Sequence, residues 1–316
     1  MHGVFLDSGS LFPADLDLDP LTRALPDWRL HDRTAPIEVV DRLESASIVV
    51  VNKVRLDRAT LANAPDLKLI CAAATGTDNI DLAAARELGI AVANARGYAT
   101  PSVAQHVFLL MFALLGRFTD YNGAVREGRW QKAGQFCLLA YPFTEAAGKI
   151  LGIVGYGALG RRVAEIARVF GMRVMIAERP GATEADRMPL EQLLDQVDVL
   201  SLHCPLTDAT RGLIGWPELT RMRAEAYLIN TARGGIVDEQ ALADALRQGQ
   251  IAGAAVDVLS SGPPSADHPL LATDIPNLIV TPHIAWGSRE SRQRLVNDIA
   301  DNITAFLAGE QRNRVV

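Results

Sequence analysis

The chain has 316 residues, of which 49% are hydrophobic, and this length favours two domains over a single core. Its formal net charge of −6, without a basic run, argues against a nucleic-acid or anionic-membrane partner. The three cysteines, Cys71, Cys137 and Cys204, are odd in number and far apart, so we expect neither a disulfide framework nor a metal site. Residues 1–10 lack the pattern of a secretory signal, and the sequence therefore predicts a cytoplasmic protein.

The first hundred residues alternate short apolar runs with helical stretches, which is typical of a parallel sheet covered by helices. We predict helices at 37–46 and 81–88, the second of which ends at Gly89. The predicted strands are 4–6, 28–30, 48–51, 69–73 and 91–93.

The pattern changes after Tyr98. Residues 100–102, Thr-Pro-Ser, begin a long predicted helix that continues to about Phe118, with the proline in its first turn. Its most apolar part, 107–115, has about half of the length that spans a bilayer. We therefore expect a buried helix or a subunit contact there.

Residues 149–179 contain the parts of a dinucleotide-binding βαβ turn in order. A predicted strand, 150–154, leads into Gly155-Tyr156-Gly157-Ala158-Leu159-Gly160, and a helix with apolar residues at 163, 166, 167 and 170 follows and ends at Gly171. The next strand, 174–177, ends at Glu178, about 20 residues beyond the glycines, where a carboxylate can bind a ribose hydroxyl.

The alternative is an ordinary Gly-rich βα loop, but strand, helix and acid together favour a pyrophosphate site at the start of the helix. Glu178 favours NAD as the cofactor, because a carboxylate would repel a 2′-phosphate. The adjacent Arg179 could pair with that phosphate, which leaves NADP as the second option.

The βα alternation continues to the end of the chain. Further strands are predicted at 197–202, 226–229, 254–258 and 278–280, with helices at 238–249 and 288–309. A chain that completes one unit, builds a second and returns through a terminal helix has a discontinuous first domain. We predict a substrate domain of residues 1–99 and 288–316, a dinucleotide-binding domain of residues 100–287, and a reaction in the cleft between them.

Several long blocks resemble the D-isomer-specific 2-hydroxyacid dehydrogenases, and the resemblance covers essentially the whole chain. The blocks are ATGTDNID at 74–81, YATPSVAQH at 98–106, NTARGGIVD at 230–238, GAAVDV at 253–258 and TPHIAW at 281–286. NKVRLD at 52–57 and GRWQKAGQFC at 128–137 are most similar to the glycerate dehydrogenase or hydroxypyruvate reductase branch. The resemblance implies an α/β fold of two Rossmann-like domains, flavodoxin-like and NAD(P)-binding, in a homodimer that reduces hydroxypyruvate or glyoxylate.

The reduction of a 2-keto acid needs a cation for the carboxylate, a proton donor and a hydride from nicotinamide. Arg233 and His283 each follow a predicted strand end, where open α/β sheets bind ligands. By resemblance, Arg233 is the substrate arginine and His283 the general acid/base. The alternatives are a surface arginine and a packed histidine, and the second is the interpretation that we favour for His203.

The resemblance also implies contacts with substrate and cofactor. Backbone N–H groups of Thr75 and Gly76 would bind the substrate carboxylate, and Asp257 would lie beside the nicotinamide, with a helix-cap or turn role as its alternative. Trp286 would either narrow the pocket or belong to the core. The expected cofactor contacts are Thr75, Gly155, Gly157, Ala158, Leu159, Gly160, Glu178, Cys204, Thr231, Ala232, Arg233, Asp257 and His283.

The chain departs from the family pattern at Gly262, where the family has a glutamate that orients and charges the histidine. Loss of such a carboxylate can cost orders of magnitude in rate, so we expect weakened catalysis but intact cofactor binding. Asp267 or Glu290 could replace the acid, and Pro263-Pro264 could hold Gly262 in a conformation that is closed to other residues. A cofactor-binding, weakly catalytic or regulatory protein is thus the second interpretation, and an enzyme for formate or phosphite is the third.

Overall fold

The computed structural model describes residues 1–179 and 186–316 of the chain. These residues divide into two compact units, and each contains one parallel sheet. Unit 1 comprises Met1–Ala99 and Trp286–Val316, and unit 2 comprises Thr100–Ala285. The chain therefore leaves unit 1 once, forms unit 2 as one continuous segment, and returns.

The strands and helices follow the predicted alternation. The strands are β1 (Gly3–Phe5), β2 (Trp28–Leu30), β3 (Ile48–Val51), β4 (Leu69–Ala72), β5 (Ala91–Ala93), β6 (Ile150–Val154), β7 (Arg173–Ile176), β8 (Val199–Leu202), β9 (Tyr227–Asn230), β10 (Gly253–Val256) and β11 (Leu278–Val280). The helices are α1 (Asp19–Ala24), α2 (Val39–Leu43), α3 (Arg58–Ala62), α4 (Leu82–Glu87), α5 (Thr100–Leu115), α6 (Phe118–Arg126), α7 (Arg129–Ala133), α8 (Ala158–Val169), α9 (Leu190–Leu194), α10 (Trp216–Arg221), α11 (Glu239–Arg247) and α12 (Arg289–Leu307).

The sheet of unit 1 has the strand order β2-β1-β3-β4-β5, and all its pairs are parallel. This is the flavodoxin-like order, in which the direction of winding reverses between β1 and β3. The strands β3 and β4 are buried along their whole length, because helices cover both faces of the sheet. The sequences of these two strands are therefore apolar throughout and do not alternate between apolar and polar residues.

The sheet of unit 2 has the order β11-β10-β9-β8-β6-β7, again with parallel pairs. One apolar cluster packs α5 and α8 on one face, and a second cluster packs α9, α10 and α11 on the other. The direction of winding reverses between β6 and β8, so this unit is a doubly wound Rossmann-like fold. The fold class that the sequence predicts is confirmed.

Two predicted helices are shorter than expected. In place of the helix 37–46, a 3-10 turn at Pro36–Glu38, where Ile37 is 89% exposed, precedes the one-turn helix α2, of which only Val39 and Leu43 are buried. The long helix ends at Leu115 and not near Phe118, because Arg117 adopts a left-handed conformation with φ of 51° and a new helix begins there.

Half of α5 is buried, including Val107 and Met111, so the apolar run 107–115 is a core helix. In the described part of the chain, no helix by itself has the length and apolarity to cross a membrane. The consecutive helices α5 and α6 meet that criterion only as a pair, which is bent by 63°.

Candidate active site

Because the strands of unit 2 are parallel, the segments that follow them lie along one edge of the sheet. Across the sheet, from β7 through β6, β8, β9 and β10 to β11, these segments carry in turn Glu178, the glycine loop, Cys204, Thr231 to Arg233, Asp257 and His283. The structure therefore brings the site residues predicted for unit 2 together at one edge. Thr75 and Gly76 follow β4, at the corresponding edge of the sheet in unit 1.

The glycine loop has the geometry that a dinucleotide requires. Gly155 has φ of +96°, and a Cβ at this position would lie 2.5 Å from the backbone nitrogen of Cys204. A Cβ on Gly160 would lie 2.2 Å from the carbonyl oxygen of Gly155, so both positions accept only glycine. A Cβ on Gly157, in contrast, would meet no atom within 4 Å.

Gly157 is also the N-cap of α8, and no side chain caps this helix. The first N–H groups of the helix thus face an open approach, which suits a pyrophosphate. Tyr156 lies near two cations, since the guanidinium carbons of Arg161 and Arg187 are each 5.9 Å from the centre of its ring. Neither arginine was among the predicted site residues, although Arg161 directly follows the third glycine.

The residues after β8 and β9 fit a cofactor surface. Burial lowers the pKa of His203 to about 4, and its Nε2 lies 2.9 Å from the Ser201 hydroxyl oxygen. His203 is therefore neutral at pH 7, which fits the packing role that we favour for it. Burial raises the pKa of the neighbouring Cys204 thiol. Thr231 has a buried hydroxyl without a hydrogen-bond partner among the described residues, so this group is available to a ligand.

Asn230 fixes the loop that carries Arg233. Its side-chain nitrogen donates to the carbonyl of Arg233 at 3.0 Å, and its side-chain oxygen accepts from the N–H of Ala232 at 3.0 Å. A Cβ on Gly234 would lie 2.0 Å from the backbone of Leu259, so glycine is required after the arginine. The half-buried Arg233 side chain donates to the carbonyl of Ala232 at 2.8 Å. Sequence reasoning identified the arginine but missed the role of Asn230.

Asp257 is 1% exposed, and its carboxylate accepts hydrogen bonds from the turn that contains His283. Its Oδ1 accepts from the Thr281 hydroxyl at 2.6 Å and from the Ile284 N–H at 2.9 Å, while Oδ2 accepts from the Ala285 N–H at 2.9 Å. Burial favours the neutral acid, but the nearby His106 ring and these hydrogen bonds outweigh it and hold the pKa of Asp257 below its usual value. These hydrogen bonds correspond to the turn role, which was one of the two roles considered for Asp257.

His283 has an exposed side chain on a left-handed backbone, with φ of 58°. This conformation costs a non-glycine residue on the order of 1–3 kcal/mol, so the surrounding contacts must hold it. The His283 N–H donates to the carbonyl of Thr281 at 2.9 Å, and the next two N–H groups bind Asp257. Trp286 packs against the apolar core of unit 1, which is the second of its two expected roles.

Gly262 lies on an exposed segment after β10. A Cβ there would meet no atom within 4 Å, and φ lies outside the left-handed region. Of the possibilities considered for this position, closure by Pro263-Pro264 is not observed, because neither space nor backbone conformation excludes a side chain. The same segment is anchored by Glu239, whose carboxylate binds the N–H and the hydroxyl of Ser260, each at 2.6 Å, and His268 at 2.9 Å.

In unit 1, Thr75 is held by two hydrogen bonds. Its hydroxyl donates to the carbonyl of Ala95 at 2.8 Å, and its own carbonyl accepts from Asn94 at 2.7 Å. The N–H groups of Thr75 and Gly76 have no acceptor among the described residues, as an anion-binding role requires. A residue that sequence reasoning missed is Asp7, whose carboxylate accepts from the three successive N–H groups of residues 52–54 at 2.6–3.2 Å.

Comparison with known proteins agrees with this geometry. The family model for the NAD binding domain of D-isomer specific 2-hydroxyacid dehydrogenases matches residues 108–285. A glycerate dehydrogenase from Methylorubrum extorquens is 48% identical over 283 residues, 89% of this chain and 88% of that protein. A hydroxypyruvate reductase from Blautia hydrogenotrophica is 37% identical over 100% of this chain and 99% of its own length.

The fold has a close match among solved structures. D-lactate dehydrogenase from Aquifex aeolicus, complexed with NAD and lactic acid, is similar with a TM-score of 0.83 and 28% sequence identity. The similarity covers 98% of this chain and 96% of that one, so it includes both units.

Proposed function

Because this chain belongs to the D-isomer-specific 2-hydroxyacid dehydrogenase family and uses NAD(P), we propose that it reduces small 2-keto acids to D-2-hydroxy acids. Hydroxypyruvate and glyoxylate are the favoured substrates, with glycerate and glycolate as products. The observation that carries the proposal is the order of groups along the unit 2 sheet edge. The glycine loop follows β6, Arg233 follows β9, and His283 follows β11, which is separated from β9 by β10 alone.

In this proposal the bound nicotinamide supplies a hydride to C2 of the keto acid. Arg233 binds the substrate carboxylate and polarises the ketone oxygen, because its forked guanidinium presents several donors. The N–H groups of Thr75 and Gly76 bind the same carboxylate. His283 donates a proton to the oxygen as charge develops there, and accepts it in the reverse direction.

The test is NADH and NADPH oxidation with a panel of 2-keto acids that includes hydroxypyruvate, glyoxylate and pyruvate. Arg233→Ala should abolish turnover with little change in NADH affinity, and His283→Ala should lower the rate by about 10² to 10⁴. Arg221→Ala is the matched control, since this arginine forms an ion pair with Asp195 on the surface. Near wild-type turnover in Arg233→Ala would remove this residue from the site.

The same assay separates the alternative, a cofactor-binding protein with weak or regulatory activity. The observation in its favour is Gly262, which supplies no carboxylate where the family has one. Tight NADH binding without turnover on any member of the panel would establish that alternative.

We also propose that the protein is a cytoplasmic homodimer, with the apolar surface of residues 118–143 as the contact. Five large apolar side chains in this segment are 47–97% exposed, which is unusual for a monomer. They are Phe118, Trp130, Phe136, Leu139 and Phe143. Sedimentation analysis of Phe136→Asp and Leu139→Asp should yield a monomer, whereas an unchanged mass would place the contact elsewhere. The three free cysteines support the reducing compartment.

A further inference from the structure

Helix α5 places two polar side chains one turn apart, and both contact the segment around His283. The Ser102 hydroxyl donates to the carbonyl of Ala285 at 2.7 Å. His106, four residues later, has its Nε2 at 3.0 Å from the Thr281 hydroxyl oxygen and at 3.5 Å from Oδ1 of Asp257. His106 is 8% exposed, so a ligand does not reach it freely and its partners are these groups.

The direction of these hydrogen bonds follows from the donors that are present. The Asp257 carboxylate only accepts, and the single Thr281 hydroxyl proton points to it across 2.6 Å. The Thr281 oxygen therefore accepts from His106, which must carry its proton on Nε2. The result is a directed chain from His106 through Thr281 to Asp257. Asp257 in turn accepts the N–H groups of Ile284 and Ala285, the two residues after His283.

We propose that His106 is a positioning residue for the reaction, which holds Thr281 and Asp257 so that the turn presents His283 in its left-handed conformation. The inference rests on the proposed function, because it assigns the proton transfer to His283. His106 itself does not contact substrate or cofactor and exchanges no proton with them. Its part is to keep the acceptor atoms of Asp257 aimed at the two N–H groups that define the turn.

The experiment compares two substitutions at His106. Leu removes the donor at similar volume, and Gln retains an N–H donor in the position of Nε2. We expect His106→Leu to lower kcat by about 10- to 100-fold, the cost of a displaced catalytic group, with KM for the keto acid within about threefold. His106→Gln should restore kcat to within about threefold of the wild type. Met111→Leu, a volume-conserving change at a buried α5 position, is the control and should have no effect.

A double-mutant cycle tests whether His106 acts through His283. In a His283→Ala background, His106→Leu should cost less than about twofold, because no imidazole remains to be displaced. An equal penalty in both backgrounds would overturn the proposal, and so would a Gln variant as slow as the Leu variant. If His106→Leu does not fold, the hydrogen bond from Thr281 to Asp257 is tested in the same way. Thr281→Val removes the hydroxyl group, and Thr281→Ser retains it.

Hydrogen exchange supplies a measurement that needs no turnover. The Ile284 and Ala285 amides should exchange faster in His106→Leu than in Met111→Leu and the wild type. If the wild type reduces no 2-keto acid, the proposed function fails, and the exchange result still decides whether His106 orders the turn. Unchanged exchange at both amides would show that His106 does not hold it.

Discussion

Replacement of Asp257 by Asn changes the buried carboxylate at the His283 turn with almost no change in volume. In the wild type, Oδ1 accepts two hydrogen bonds and Oδ2 accepts one, all within 2.9 Å. An amide has one oxygen, so its NH2 group must face either the Ala285 N–H or the pair formed by Ile284 and Thr281. A buried donor without a partner costs about 1–3 kcal/mol, and a hydrogen bond to a charged group contributes about 1.5–3 kcal/mol. We therefore expect a loss of about 3 kcal/mol, or a fall in Tm of roughly 6–12 °C for a domain of this size.

This loss should depend on pH in a defined direction. The pKa of Asp257 in the folded protein lies below the usual 3.8, so its carboxylate stabilises the fold fully above that value. The stabilisation is lost as the pH falls through the folded pKa. Thermal unfolding of the wild type and Asp257→Asn should therefore differ by a constant amount between about pH 5 and 8 and converge below about pH 4. Asp208→Asn, a control at an exposed position of unit 2, should match the wild type throughout. A difference that persists unchanged to pH 3, or a Tm within 2 °C of wild type at pH 7, would refute the reasoning.

Three further predictions concern the cofactor and the missing acid. NADH should give a higher kcat/KM than NADPH, because Glu178 can bind ribose hydroxyls and repels a 2′-phosphate, and a preference for NADPH would contradict this assignment. Gly155→Ala should weaken NADH binding at least about tenfold in fluorescence titration, because its Cβ would lie 2.5 Å from the Cys204 nitrogen, and unchanged affinity would exclude the loop as the site. Gly262→Glu should shift the alkaline limb of kcat/KM for keto-acid reduction to higher pH, since a carboxylate favours the protonated form of His283. A limb that is already high in the wild type and collapses in Asp267→Asn or Glu290→Gln would show that another acid serves this purpose.

The strands and the glycine loop at this end of the unit 2 sheet could be predicted because the sequence signals for them are local. A strand, a glycine loop and a helix follow one another within residues 150–169, and their periods of apolar residues are distinct. The caps are local too, as Asp238 shows by accepting from the Ala241 N–H at the start of α11. The local signals are weaker where a helix packs against the core through only one turn. The predicted helix 37–46 was too long for that reason.

The positioning groups could not be predicted, because their partners are distant in the sequence. His106 and Thr281 are 175 residues apart, and Asp7 binds N–H groups 45–47 residues away. No periodicity or spacing rule relates such positions. The Asp7 contacts need neighbouring parallel strands to place their carboxyl ends side by side, and the His106 contact needs α5 to pack against the sheet. Asn230 is a different case, because it acts two and three residues away and its position at the end of a strand was visible.

The carboxylates at the strand ends divide into two kinds, and exposure distinguishes them. Asp7 follows β1 and fixes the segment after its neighbour β3, while Asp257 follows β10 and fixes the segment after its neighbour β11. Both are buried, and backbone N–H groups occupy their oxygens. Glu178 follows β7 but is only half-buried, and no described residue donates a hydrogen bond to its carboxylate. The first two acids are therefore committed to the fold, and we propose Glu178 as the acid that binds the hydroxyl groups of a ribose.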